Sequence, residues 1–212
     1  MSNTQPVPQQ AATSAACGTS RIVGCRFSLH PMTNDFVSLI KGAIEAVDTS
    51  KVWRYTDDVS TCVRGREAHV FDVVKAMVLH TSKTGAHVAF NATFSIGCPG
   101  DSEGDTYMAE DDIRLNEPGS IELRQYVSSQ FALYPMGDPD YMATIMAQVG
   151  LAEEHGTLKK GVHYASGLHG DIHDVFTTLE EAFKQAQEGK SSHIVMTVNM
   201  SINSPSHQEE AH

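Results

Sequence analysis

The sequence of 212 residues is short of positive charge, cysteine, tryptophan and long apolar runs, and each shortage excludes something. Fifteen Lys and Arg stand against 26 Asp and Glu, a formal net charge of -11. Such a chain offers no positive field to neutralise phosphates, so neither nucleic acid nor an anionic membrane surface is an expected partner. No apolar run nears the roughly 20 residues of a membrane helix, and no direct membrane insertion is expected. Residues 1–16 hold no Lys or Arg and no apolar stretch, which excludes a secretory signal and reads as a disordered leader. The four cysteines (Cys17, Cys25, Cys62, Cys98) form no C-x-x-C pair, and none lies in the second half. That pattern suits neither a disulfide framework nor a structural zinc, and it predicts a reducing, cytoplasmic location. A P-loop and a G-x-G-x-x-G turn are missing, so no catalytic residues are expected.

What the sequence does have is an echo of itself. Phe27-Ser28-Leu29-His30-Pro31-Met32 returns as Phe131-Ala132-Leu133-Tyr134-Pro135-Met136, an offset of 104. Asp35-Phe36 returns as Asp140-Tyr141, and Gly65, Val70 and Phe71 return as Gly170, Val175 and Phe176, all at 105. His87, Ser95 and Pro99 return as His193, Ser201 and Pro205 at 106. The matches keep their order and drift by two residues, the mark of a duplicated domain.

Each copy reads as βαββαβ. In the first, residues 21–30 alternate, with Val23, Cys25, Phe27 and Leu29 on one face. Thr33 or Asn34 can cap a helix whose apolar residues include Phe36, Leu39, Ile40, Ala43, Ile44 and Val47. Two short strands, 51–55 and 59–64, flank Asp57-Asp58 as a hairpin; a helix over 68–82 and an alternating strand over 88–96 follow. The second copy places strands at 130–134, 157–159, 162–168 and 194–202, with helices at 139–154 and 172–188. The predicted fold class is therefore α+β, two tandem ferredoxin-like (ACT-like) domains with antiparallel sheets and both helices of each on one face. The other faces need cover, so sheets are expected to pack face to face, within or between chains. The divisions are a leader over 1–16, repeats over 17–97 and 125–206, an acidic, glycine-containing linker over 98–124 and a tail over 207–212.

These residues carry a resemblance. The strings CGTSRI (17–22), RFSLHPM (26–32), FSIGCPGD (94–101), GDTY (104–107), QFALYPM (130–136), GVHYAS (161–166), HDVF (173–176) and NSPS (203–206) are similar to the YkoF family. The resemblance implies a homodimer of tandem chains that binds thiamin and its hydroxymethylpyrimidine moiety, with one site in each half. It further implies a cytosolic, non-catalytic role beside a thiamin-precursor transporter. Neither composition nor periodicity identifies that ligand.

Thiamin joins an aminopyrimidine to a cationic thiazolium, so its site needs an apolar or aromatic slot, a few polar groups and a partner for the cation. Candidates are taken where the copies agree: Ser28, Leu29 and His30 with Ala132, Leu133 and Tyr134 at the end of each first strand, and Thr61 with Ser166 on each third strand. Met32 with Met136 and Asp35 with Asp140 complete the set. Each has a plainer reading: Thr and Ser suit a pleated surface, the Asp pair complements a helix dipole, and the Met pair closes a helix over the core. Because Ala132 replaces Ser28, contact at that position would make the two sites unequal by one hydrogen bond.

Other motifs are weaker. His163, His169 and His173 have no counterparts in the first copy and no zinc-site spacing, and the Gly-Asp pairs at 100–105 lack calcium-loop spacing; no metal and no cofactor are expected. Cys98 aligns with Ser204 and has no repeated base beside it, while His87 and His193 suit hydrogen bonding or an interface. The alternative function is an ACT-like regulator or scaffold that acts on a partner in trans when a small ligand binds.

Overall fold

The computed structural model describes residues 21–97 and 107–208. The expected leader over 1–16, Cys17, Cys98 and the Gly-Asp pairs at 100–105 lie outside the described residues.

The first half runs β1 (Val23–Pro31), α1 (Phe36–Ala46), β2 (Trp53–Thr56), β3 (Thr61–Gly65), α2 (Glu67–Ser82) and β4 (Val88–Ile96). A one-turn helix, α3 (Glu117–Ser120), lies between the halves. The second half runs β5 (Tyr126–Met136), α4 (Tyr141–Glu154), β6 (Leu158–Lys159), β7 (Ser166–Asp171), α5 (Ile172–Ala186) and β8 (His193–Ile202), and a 3-10 turn over Pro205–Gln208 follows. The alternation expected for β1 is present: Val23, Cys25 and Phe27 are buried and Arg26 is exposed. Two second-half strands differ from expectation. β5 is longer, because the alternation continues back through Val127 and Ser129 and both flanking strands pair with it. β7 begins only at Ser166, because Gly161 and Tyr164 take positive φ angles of 83° and 64° and turn the chain there.

Every pairing is antiparallel, and the strand order β2-β3-β1-β4-β8-β5-β7-β6 makes one eight-stranded sheet. Of the face-to-face packing expected within or between chains, the single sheet leaves none within the chain among the described residues. β4 and β8 would each be an apolar-patterned edge open to aggregation; pairing them from Val88↔Ile202 to Ile96↔Ile194 removes both edges. The helices touch in the order α1, α2, α5, α4 along one face, so the two halves share a single core. Phe71 stacks on Phe94 with centroids 4.4 Å apart, and Phe183 from the other half packs against both.

On the face away from the helices the seam between halves is polar and pseudo-symmetric. His87 Nε2 lies 3.1 Å from Ser201 Oγ, and His193 Nε2 lies 2.9 Å from Ser95 Oγ. Midway, Asn91 Nδ2 donates to Asn199 Oδ1 at 2.6 Å. The segment from Tyr107 onward, expected as a linker, crosses the helix layer as an anchored strap. Arg66 makes a bidentate pair with Asp112, Arg114 pairs with Glu180 at 2.6 Å, and Asn116 donates to Asp72 and Asp48.

Phe94→Ala empties the contact between the two halves and is expected to cost about 3–5 kcal/mol. Urea unfolding followed by circular dichroism checks it; a loss below about 1 kcal/mol would show that the shared core does not hold the halves together.

Candidate ligand-binding site

Strand β5 ends at Met136 and the chain turns back into α4, leaving a cleft between the strand end, the first turns of α4 and the turn before β7. This cleft is a cavity of about 470 Å³ lined by residues that include Phe131, Leu133, Pro135, Tyr141, Ile145 and Ser166. Its size falls within the roughly 300–1,000 Å³ of small-molecule sites. Register explains how Ser166 reaches it: Ser166 stands directly opposite Phe131, so both face the helices. Thr61 stands opposite Phe27 in the same way, so the repeated hydroxyl occupies one structural position in both halves.

The structure brings five of the expected residues to this cavity: Ala132, Leu133, Tyr134, Met136 and Ser166. Asp140 stands just outside, at the N-terminal boundary of α4; its N–H donates to Asp138 Oδ1 at 2.9 Å. That bond and a 2.7 Å one from the Thr144 hydroxyl hold the Asp138 carboxyl below its usual pKa, the hydroxyl contributing most. Asp35 bounds α1 in the same way, with no side-chain cap bond.

In the first half, Ser28, Leu29 and His30 lie on β1 and Met32 just beyond it, with Met32 exposed. The alternation of β1 turns the Ser28 side chain away from the helices, and its hydroxyl donates to the Val59 carbonyl at 3.0 Å. The hydroxyl difference between Ser28 and Ala132 therefore lies on the face opposite the helices. Thr61 Oγ1 lies 3.0 Å from Thr56 Oγ1. The turn that carries Val59 is fixed by Asp57, which accepts from Arg26 at 2.6 Å and from the N–H groups of Val59 and Ser60. The Arg26 bond, and then those two N–H groups, hold its carboxyl at about 2.

Met136, Tyr141 and Tyr164 are exposed apolar side chains that line the second-half cleft, and Met142, also exposed, follows Tyr141 on α4. Their counterparts by the repeat offset, Met32, Phe36, Val37 and Val59, are exposed as well. A core-forming residue exposed at the same place in both copies marks a surface kept for something else. Tyr164 is the clearest case: its side chain is fully exposed and its backbone is held at a positive φ that aromatic residues rarely adopt. Reading the sequence missed Tyr141, Ile145 and Tyr164. Tyr141 was visible as the repeat of Phe36; Tyr164 sits in a turn whose conformation no local pattern announced.

The remaining expected motifs are placed elsewhere. His169 Nδ1 lies 3.3 Å from the Tyr126 hydroxyl and His173 Nε2 lies 3.0 Å from the Leu123 carbonyl. A larger cavity of about 670 Å³ between α2 and α5 is walled by paired charges such as Arg114–Glu180 and Lys75–Glu117, and none of the expected site residues line it. Burial pushes the Glu180 carboxyl up despite Arg114.

The comparisons decide the family. The chain matches the YKOF-related family over residues 22–101 and 126–207, one match for each half. The chain belongs to this family. It is also 56% identical over 190 residues to a Bacillus subtilis (strain 168) protein named "Putative HMP/thiamine-binding protein YkoF", a match that covers 90% of this chain and 94% of that one. In this family member both matched segments carry the cleft-forming strand and its following helix.

The Asp57 carboxyl titrates lower in the folded chain than its ordinary 3.8, so its stabilising contribution is complete above that value and is lost as pH falls through about 2. Thermal melts of wild type and Asp57→Asn between pH 2 and 5 should converge at the acid end and separate above pH 4, with the variant less stable there. Parallel curves would mean that Asp57 does not hold the turn.

Proposed function

We propose that the protein binds thiamin and its hydroxymethylpyrimidine moiety, one molecule in each half, without catalysing a reaction. The observation that carries this reading is the second-half cleft: an apolar slot with a strand hydroxyl, Ser166, inside and three exposed tyrosines, Tyr134, Tyr141 and Tyr164, on its walls. Among the described residues none that lines it is charged, so a cationic ring would be held by aromatic faces and not by a carboxylate. The first half supports a second site through Leu29, Met32, Phe36 and Thr61, which stand where Leu133, Met136, Tyr141 and Ser166 stand in the other half. The name of the 56%-identical relative supports the same ligand class.

The wider reading is a cytoplasmic carrier linked to uptake or salvage of thiamin precursors, acting as a homodimer. No helix among the described residues is long and apolar enough to cross a membrane. The sheet face opposite the helices, with half-buried Ala89 and Val195 along its middle strands, is the surface proposed to meet the second chain.

Isothermal titration with thiamin, hydroxymethylpyrimidine and thiamin diphosphate is expected to saturate near two ligands per chain. Tyr164→Ala should weaken thiamin about fivefold to tenfold at one site, within the roughly 0.5–2 kcal/mol of a cation–aromatic contact, and affect the neutral pyrimidine less. No heat with any of the three ligands would sink the binding function, and saturation at one ligand per chain would sink the two-site version.

A further inference from the structure

The cavity of about 670 Å³ between α2 and α5 shares no lining residue with the cleft at the end of β5, and its size also suits a small molecule. It lies where the two copies meet. Phe71 of α2 and its repeat counterpart Phe176 of α5 both line it. Its wall carries five cationic and five acidic side chains, although the whole chain has a net charge of -11. Six of these are spent on one another: Arg66 with Asp112, Lys75 with Glu117 and Arg114 with Glu180.

Two of the others are neighbours of opposite sign. Glu67, in the first turn of α2, accepts a hydrogen bond from Gln187 Nε2. Burial pushes the Glu67 carboxyl up from the ordinary glutamate value despite that bond, which an arriving positive charge would reverse. Lys184 stands three residues before Gln187, one turn back on the same helix face. Its ammonium also lines the cavity, and among the described residues it makes no ion pair. A carboxylate held only by a neutral amide and an ammonium without a partner thus face one cavity from two helices.

We propose that this cavity is a second binding site, for a small zwitterion: its ammonium sits on the Glu67 carboxylate, its carboxylate on the Lys184 ammonium and its apolar body on Phe71 and Phe176. A ligand with a single charge would satisfy one side of the pair and upset the balance of a neutral wall. The two charged groups of the ligand must be close together, because Lys184 is one helix turn from the residue that touches Glu67. The occupant would join α2 of one half to α5 of the other and leave the β5 cleft untouched.

The test is isothermal titration in saturating thiamin with phenylalanine, with 3-phenylpropanoate, which lacks the ammonium, and with 2-phenylethylamine, which lacks the carboxylate. Phenylalanine is expected to bind once per chain and at least about tenfold more tightly than either analogue, the worth of one charge-assisted contact. Glu67→Gln should bring phenylalanine down to the level of 3-phenylpropanoate, and Lys184→Gln down to that of 2-phenylethylamine. Lys184 is exposed, so its variant should melt like wild type; if Glu67→Gln fails to fold, the Lys184→Gln result still decides. Phenylalanine bound no more tightly than the analogues, or equally by wild type and Lys184→Gln, overturns the proposal. No binding of any of the three overturns it as well. Thiamin binding is read in its own titration, and neither variant should change it, so the two functions fail separately.

Discussion

The pairing of β4 with β8 is the constraint on which the rest of the architecture depends. Each half alone would end in an edge strand, paired on one side only and rich in apolar residues: Val88, Phe90, Ala92 and Phe94 in one, Ile194, Met196, Val198, Met200 and Ile202 in the other. Joining them over nine residue pairs turns two marginal sheets into one and brings α2 and α5 into contact above the seam. Phe71, Phe94 and Phe183 then form one aromatic cluster drawn from both halves. The cleft at the end of β5 lies on the strand next to β8, one strand from the seam. The strap from Tyr107 adds ion pairs across the same junction on the helix side.

Duplication explains why the strand ends of the two halves share a frame, and divergence explains why they differ. What both copies keep is geometric: a proline at the end of the first strand, a methionine directly after it, a hydroxyl opposite the buried phenylalanine and an aromatic at the first turn of the following helix. What they do not keep is the polar and aromatic detail. The second half has Tyr134, Tyr141 and Tyr164 where the first has His30, Phe36 and Val59. The Ser28 hydroxyl seemed to favour the first half, but it is engaged by the Val59 carbonyl on the other side of the sheet. Side-chain direction on a strand decides such questions, and one residue of slip reverses the answer.

The repeat, the βαββαβ order and most strand faces were legible because each is a local pattern repeated twice. Thr61 and Ser166, matched only by offset, fall on identical register positions opposite Phe27 and Phe131. Three things were not legible. Edge pairing of β4 with β8 joins residues about a hundred positions apart, and alternation in a strand does not name its neighbour. The strap read as a linker because glycine and acid are what a tether also shows; its anchors, Arg66–Asp112 and Arg114–Glu180, lie 46 and 66 residues apart. Tyr164 was hidden because its exposure follows from a turn set by Gly161 and by its own positive φ, neither of which has a sequence period.

The absence of a carboxylate among the described residues lining the cleft bears on how an acidic protein would hold a cation there. A chain of net charge -11 attracts cations over its whole surface, which raises their local concentration without choosing among them. In the proposed site, choice would fall to the cleft, where aromatic faces favour a flat, weakly hydrated cation over a compact ammonium ion whose water is harder to remove. A carboxylate in the same place would bind both and would be costly to bury when the cleft is empty. Attraction from the field and selection by tyrosine are thus separate physical effects, and salt screens the first while leaving the second nearly intact.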